Sequence, residues 1–169
     1  MFGNFIKSFG GNEGMDMLRI SWEATINYCE ELGRKIDFRP DLIVGLSRGG
    51  LVLTRILSDI MAIERVGIIG IKFYDGMRRM ERPEVFQELT MDVRGRKILL
   101  VDDVAETGRS LEAARAHLLE KGAAEVKIAT LHYKPTSSFR PDYFVMTTTS
   151  WIAYPWERHE IERETRKRG

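Results

Sequence analysis

Asp102 and Asp103 stand side by side at the end of a branched apolar run, Ile98-Leu99-Leu100-Val101, and lead into Val104-Ala105-Glu106-Thr107-Gly108-Arg109-Ser110-Leu111. The run reads as a buried strand, Thr107-Gly108 as a turn, and the residues from Arg109 as the start of an amphipathic helix. Two carboxylates at the end of a buried strand are costly unless they meet hydroxyl groups, a cation or water. A sugar diol would satisfy them. The segment from Ala105 to Ser110 supplies small residues, successive backbone N–H groups and two hydroxyls at the mouth of a helix. Such a turn is an anion cradle, because unpaired N–H groups and the positive end of the helix dipole both favour phosphate. Acids for a diol beside a nest for a phosphate imply a ribose 5-phosphate. The plainer alternative is a strand-to-helix turn with solvated acids.

A second loop repeats the pattern. Asp41-Leu42-Ile43-Val44-Gly45-Leu46 reads as a strand, and Ser47-Arg48-Gly49-Gly50 follows directly before an apolar helix from Leu51 to Met61. Two glycines and an arginine between strand and helix present backbone N–H groups and a guanidinium to an anion. A third strand, Val66 to Lys72, ends in Lys72-Phe73-Tyr74-Asp75, where a lysine can reach a phosphate as a point charge.

The segment from Val101 to Ser110 resembles the phosphoribosyl-pyrophosphate (PRPP) signature of type I phosphoribosyltransferases: hydrophobic residues, two acids and Thr-Gly in that order. The resemblance implies that Asp102 and Asp103 act on the ribose diol or the water shell of a Mg2+ ion, and that Ala105, Glu106, Thr107, Gly108, Arg109 and Ser110 bind the 5-phosphate. Ser47, Arg48 and Gly49 resemble the family's pyrophosphate loop, in which the peptide before the basic residue is often cis, and Lys72 joins them by its Lys-aromatic-Tyr context. Lys134-Pro135, Trp151-Ile152 and Pro155-Trp156-Glu157 resemble the base-binding half of the family's xanthine-guanine enzymes. A lysine ammonium only donates hydrogen bonds, so it suits the 6-oxo group of guanine, xanthine or hypoxanthine and leaves the 6-amino group of adenine unmatched. An indole offers a flat face for a purine. Lys134, Trp151 and Ile152 are therefore the expected base contacts, and Glu157 is a further candidate metal ligand.

One residue departs from the family pattern. Where the 6-oxopurine enzymes usually carry aspartate before Thr-Gly, this chain has Glu106. The carboxylate is kept on a longer arm, and Glu106 is expected to act as the base on the purine N7 proton.

The elements that must position these loops alternate between strand and helix. That order gives an α/β fold with a doubly wound, mainly parallel sheet, whose ligands gather at the strands' carboxyl ends. The resemblance, which runs from about Met17 to Glu157, implies the type I phosphoribosyltransferase fold with a flexible lid loop and a small C-terminal base-binding hood. The 169 residues suit one domain. Within it, 1–14 reads as an N-terminal arm rich in glycine and phenylalanine, and 158–169 as a charged tail. Residues 75–96, with five acids, five arginines and one proline, read as a solvated excursion or hairpin; the family's lid lies here and would exclude water from the reacting sugar. Around the first helix, Ser21 is the expected N-cap, with Trp22, Ile26, Cys29 and Ile36 as its inward stripe; on the helix from Arg109 the inward set is Leu111, Ala114, Leu118 and Leu119.

Bulk properties narrow the partners. Lys and Arg total 26 against 25 Asp and Glu, so no global attraction to nucleic acid follows. The single cysteine, Cys29, forms no internal disulfide; with no signal-peptide pattern and no membrane-length apolar run, a cytoplasmic location is the expectation. The reading is thus a Mg2+-dependent pentosyltransferase of purine salvage, acting on PRPP and a 6-oxopurine, as a homo-oligomer (dimer or tetramer) by family habit. Its alternatives are a PRPP-sensing regulator of nucleotide metabolism and a transferase for another base.

Overall fold

A computed structural model describes residues 17–75 and 78–168, and the side chains of all of these but 74–82, 164, 165, 167 and 168. The expected N-terminal arm lies outside the described residues. In chain order the elements are β1 (Met17–Arg19), α1 (Trp22–Lys35), β2 (Leu42–Ser47), α2 (Gly50–Ile60), β3 (Val66–Asp75), β4 (Arg78–Gln87), β5 (Lys97–Ala105), α3 (Arg109–Glu120), β6 (Glu125–Tyr133), β7 (Tyr143–Thr147), β8 (Trp151–Ala153) and α4 (Arg158–Arg168), with a short 3-10 turn over Pro155–Glu157. The chain divides into two compact units: Tyr28–Thr148, and a smaller one drawn from both ends, whose described part is 17–27 and 149–168.

The larger unit holds a six-stranded sheet in the order β4-β3-β2-β5-β6-β7, parallel except for the β3–β4 pair. Its central strands are continuous apolar runs because both faces are covered. Leu42, Ile43 and Val44 of β2 and Ile98, Leu99, Leu100 and Val101 of β5 are completely buried. Helix α2 packs on β2 and β5, and α3 on β3, β5 and β6. The mixed α/β fold with a mostly parallel sheet is therefore as the alternating pattern predicts. Of residues 75–96, Arg78–Gln87 form β4, which pairs antiparallel with β3 in register at Lys72↔Glu84.

Helix α1 starts as expected, with the Ala24 N–H donating to the Ser21 hydroxyl oxygen at 3.0 Å. Its inward stripe differs. Thr25, Cys29 and Leu32 are wholly buried, spaced as one helical face requires, while Trp22 is 52 % and Ile26 47 % exposed. Thr25 accepts burial because its hydroxyl donates to the Ser21 carbonyl at 2.9 Å. On α3, Leu119 also faces outward, and Leu111, Ala114 and Leu118 carry the core contact. In the smaller unit β1 and β8 pair in parallel, Trp22 meets Trp156 at 5.8 Å between ring centroids, and Tyr154 stacks on Trp156 at 4.7 Å. Most of the charged tail is helix α4, with Arg158 bonded to Glu162 at 3.0 Å.

Burial also sets the state of two polar groups. The Cys29 thiol is pushed up to about 12, so it stays protonated and inert. The His132 imidazole lies at 0 % exposure, edge-on to Tyr28 at 5.7 Å, and burial pushes it down to about 4. The unfolded chain takes up that proton near its ordinary value of 6.5, whereas the folded chain resists until about 4, so acid favours unfolding across this window. Replacing His132 with glutamine should remove this component. In urea melts between pH 7 and pH 4.5, the wild-type protein should lose up to about 3 kcal/mol more stability than the variant.

Candidate functional site

Ser47, the last residue of β2, opens the first loop, and the Ser47–Arg48 peptide is cis, as the resemblance implies. Gly49 lies directly over the end of the neighbouring strand β5. A Cβ built on Gly49 would fall 2.4 Å from Asp103 Oδ2 and 2.7 Å from Oδ1, so only a glycine lets this loop close on that carboxylate. Asp103 is 6 % exposed, and its backbone N–H donates to Asp102 Oδ1 at 3.0 Å. The two acids thus lie inside β5, which runs on through Val104 and Ala105, with one carboxylate tucked under the glycine loop and the other, half-buried, held to the backbone.

The turn after β5 passes through Glu106, Thr107 and Gly108 into α3. Gly108 caps the helix with φ of 78°, a left-handed conformation that side chains disfavour. Its Cα faces Ser137 Oγ and Phe139, which a Cβ would meet at 2.6 and 2.7 Å. Ala105 is buried, Glu106 and Thr107 are exposed, and Arg109 and Ser110 are half-buried. The Arg109 guanidinium carbon lies 4.3 Å from the Phe73 ring centroid, which ties the helix mouth to β3 through a cation–π contact. One residue before Phe73, Lys72 pairs with Glu84 on β4 at 3.1 Å.

Beyond β5 in the sheet, β6 runs parallel to it in the register Ala105↔Tyr133. The next residue is Lys134, whose backbone N–H donates to the Ala105 carbonyl at 3.0 Å. Its side chain is 12 % exposed, and the ammonium is bonded to the carboxylate of Glu106. Ser47, Arg48 and Gly49, Lys72, the 102–110 turn and Lys134 therefore share the carboxyl edge of the parallel strands. Trp151 and Ile152 belong to the smaller unit, where β8 places them opposite Met17 and Leu18 of β1; Ile152 is buried and Trp151 half-buried. Glu157 sits in the 3-10 turn of that unit, its carboxylate accepting from the Tyr154 N–H at 3.4 Å.

Residues 17–160 match the family model described as the phosphoribosyl transferase domain. The chain belongs to that family. It is a phosphoribosyltransferase by descent, hence of the pentosyltransferase class. It is similar to the solved purine phosphoribosyltransferase of Pyrococcus horikoshii, with 35 % identity and a TM-score of 0.77 over 84 % of this chain and 94 % of that one. The xanthine-guanine-hypoxanthine phosphoribosyltransferase of Helicobacter pylori is 25 % identical, with a TM-score of 0.73 over 88 % and 99 % of the two chains. Among curated proteins, the xanthine-guanine phosphoribosyltransferase of Idiomarina loihiensis is 29 % identical over 83 % of this chain and 86 % of its own.

The phosphoribosyltransferase edge also contains residues that the sequence did not single out. Phe73 under Arg109, Glu84 on Lys72, and Ser137 and Phe139 against Gly108 all come from neighbouring strands or their loops. The parallel pairing of β5 with β6 is the feature that brings the last two there. Gly95 isolates the cost of their packing, since its φ of 69° matches that of Gly108 but nothing lies within 4 Å of a built Cβ. Gly95→Ala should cost about 1 kcal/mol, for the left-handed backbone alone. Gly108→Ala should cost at least about 1 kcal/mol more in the same denaturant melts, because its Cβ also displaces the 137–139 loop.

Proposed function

We propose that the protein transfers the 5-phosphoribosyl group of PRPP to a 6-oxopurine, guanine, xanthine or hypoxanthine, and releases pyrophosphate. The observation that carries this reading is the Lys134–Glu106 pair beside the 105–110 turn. A lysine that donates next to a carboxylate that accepts matches a ligand edge with an acceptor beside a donor. The O6 and N7–H of a 6-oxopurine form such an edge; adenine offers its amino group to the lysine instead. Lys134 has three N–H groups, so it can keep Glu106 while donating to O6. The relatives named above carry purine, xanthine, guanine and hypoxanthine in their names, which supports the same choice and favours a transferase over a PRPP sensor.

In this reading the amides of Ala105 to Ser110, with the Thr107 and Ser110 hydroxyls and the Arg109 guanidinium, hold the 5-phosphate. Ser47, Arg48, Gly49 and Lys72 hold the pyrophosphate, and Lys72 exchanges Glu84 for it. The purine nitrogen forms its bond to C1′ as the C1′–oxygen bond to pyrophosphate breaks, and the N7 proton passes to Glu106. Positive charge develops on the ribose meanwhile, and Asp102 and Asp103 oppose it. By the resemblance, Trp151 and Ile152 would be the base contacts contributed by the smaller unit, and the β3–β4 pair would be the lid.

A Mg2+ ion fits this donor set. Among the described residues no group of three or more His, Cys, Asp or Glu side chains is gathered for a metal. Magnesium characteristically binds through one or two carboxylates plus substrate phosphates and retains waters, as the Asp102–Asp103 pair would allow. When bound it neutralises charge on the leaving pyrophosphate. Glu157, the further candidate ligand, belongs to the smaller unit, where its carboxylate accepts from the Tyr154 N–H. Purine salvage in the cytoplasm, by a homo-oligomer, completes the reading; outward-facing Trp22 and Ile26 are apolar surface of the kind that assemblies cover. Among the described residues no helix is long and apolar enough to cross a membrane.

Incubation with PRPP, Mg2+ and equal amounts of guanine, xanthine, hypoxanthine, adenine and uracil tests the proposal, with nucleotides identified by mass. Products should be confined to 6-oxopurine nucleotides, and Lys134→Ala should lower kcat/KM for them by about 100-fold or more. Adenine or uracil nucleotides as the main products, or PRPP bound without any nucleotide formed, would overturn it.

A further inference from the structure

Three successive residues of the phosphate turn are each bonded to the loop that follows β6. The Ala105 carbonyl accepts from the Lys134 N–H at 3.0 Å, and the Glu106 carboxylate accepts from the Lys134 ammonium. The Thr107 carbonyl accepts twice from Ser138, from its backbone N–H at 3.2 Å and from its hydroxyl at 3.0 Å. The loop that makes these bonds is itself fixed. Its Ser137 N–H donates to the Lys134 carbonyl at 2.9 Å, and the Ser137 hydroxyl donates to the Phe139 carbonyl at 2.8 Å.

We infer that Ser138 is a positioning residue for recognition of the 5-phosphate, acting through the Thr107–Gly108 peptide. The inference rests on the function proposed above for the 105–110 turn. A trans peptide is planar, so its carbonyl and N–H point in opposite directions. Thr107 contributes the carbonyl of this unit and Gly108 the N–H. Two donors from Ser138 hold the carbonyl toward the 134–139 loop and fill both of its lone pairs, which turns the Gly108 N–H the other way, into the cradle. Gly108 has no side chain to resist rotation of that unit and occupies the φ of 78° that most residues avoid. Without the Ser138 bonds this peptide is the one in the turn freest to flip, and a flipped peptide presents a carbonyl to the phosphate in place of a donor.

The arrangement has a second consequence. Lys134, which selects the base, and Ser138, which orients the phosphate turn, lie on one short loop, so both ends of the bound nucleotide are referred to the same piece of backbone. One competing contact exists: the Ser138 hydroxyl oxygen also lies 3.3 Å from Glu112 Oε2 in the first turn of α3. The hydroxyl has a single proton, and the Thr107 carbonyl is the nearer acceptor.

The test compares Ser138→Ala, Ser138→Thr and Glu112→Gln with wild-type protein, using KM for PRPP and guanine, kcat, and the affinities of guanosine 5′-monophosphate and guanosine. Ser138→Ala should raise KM for PRPP about five-fold, the size of one lost hydrogen bond, with KM for guanine nearly unchanged. The same factor should vanish from the preference for the monophosphate over guanosine. Ser138→Thr keeps the hydroxyl and should restore both, and Glu112→Gln should leave both at wild-type values. Equal weakening of the monophosphate and guanosine by Ser138→Ala, or reproduction of its effect by Glu112→Gln, would overturn the inference, as would an unchanged preference. A wild-type protein that makes no nucleotide from any purine overturns the proposed function instead, and the monophosphate-to-guanosine comparison still decides the role of Ser138.

Discussion

β2, β5 and β6 run side by side in one direction, with Gly45 opposite Val101 and Ala105 opposite Tyr133. That pairing is the constraint on which the rest depends. Parallel strands bring their carboxyl ends to one edge, so the loops that leave them have to share it. β2 is apolar from Leu42 to Leu46 and β5 from Ile98 to Val101, and the chemistry begins toward their carboxyl ends, where Asp102 and Asp103 still lie within β5. Asp103 shows how tight the arrangement is. Its carboxylate fills the space where a side chain at residue 49 would otherwise sit, so the acid of one loop and the glycine of the next specify each other. Placing polar groups where the sheet ends also limits the cost of burying them.

Charge at this edge is paired before any ligand arrives. Lys72 holds Glu84, Lys134 holds Glu106, and Arg109 lies over Phe73. Pairs with an exposed partner are each worth about 1 kcal/mol or less. They are strong enough to keep long side chains in place and weak enough to exchange for a polyanion. This suits a proposed donor that carries a pyrophosphate, whose charge can take the place of Glu84 on Lys72 with little loss while Lys134 keeps Glu106. The hairpin benefits in particular, because Glu84 belongs to β4 and Lys72 to β3, so that exchange acts at the pairing of its two strands.

Much of this was legible because the chemistry lies at abrupt changes of residue type. An apolar run ending in Asp102-Asp103, or in Ser47-Arg48-Gly49-Gly50, marks both the strand and its loop in a few residues. The cis Ser47–Arg48 peptide followed from resemblance; composition alone contains no such signal. The facing of α1 was not legible. One residue turns a helix by about 100°, so Trp22 and Ile26 read as inward while the buried face is Thr25, Cys29 and Leu32, and a threonine whose hydroxyl is satisfied by Ser21 does not look like core. Ser138 and Phe139 were hidden for a different reason. Their place against the turn at Thr107 and Gly108 depends on which strand lies next to β5, and that is a property of the sheet order. Glu106 stands between these cases: its departure from aspartate is plain in the sequence, and only the structure shows that the longer arm meets Lys134.

In the proposed function one edge of the sheet reads a 6-oxopurine ribose 5-phosphate, with the phosphate on the 105–110 turn and the base at Lys134. A crystal structure with guanosine 5′-monophosphate tests it most directly. The phosphate oxygens should lie within hydrogen-bond distance of the Thr107, Gly108 and Ser110 amides, and the purine O6 on the Lys134 ammonium. A nucleotide bound with its phosphate elsewhere, or with its O6 turned away from Lys134, would contradict it.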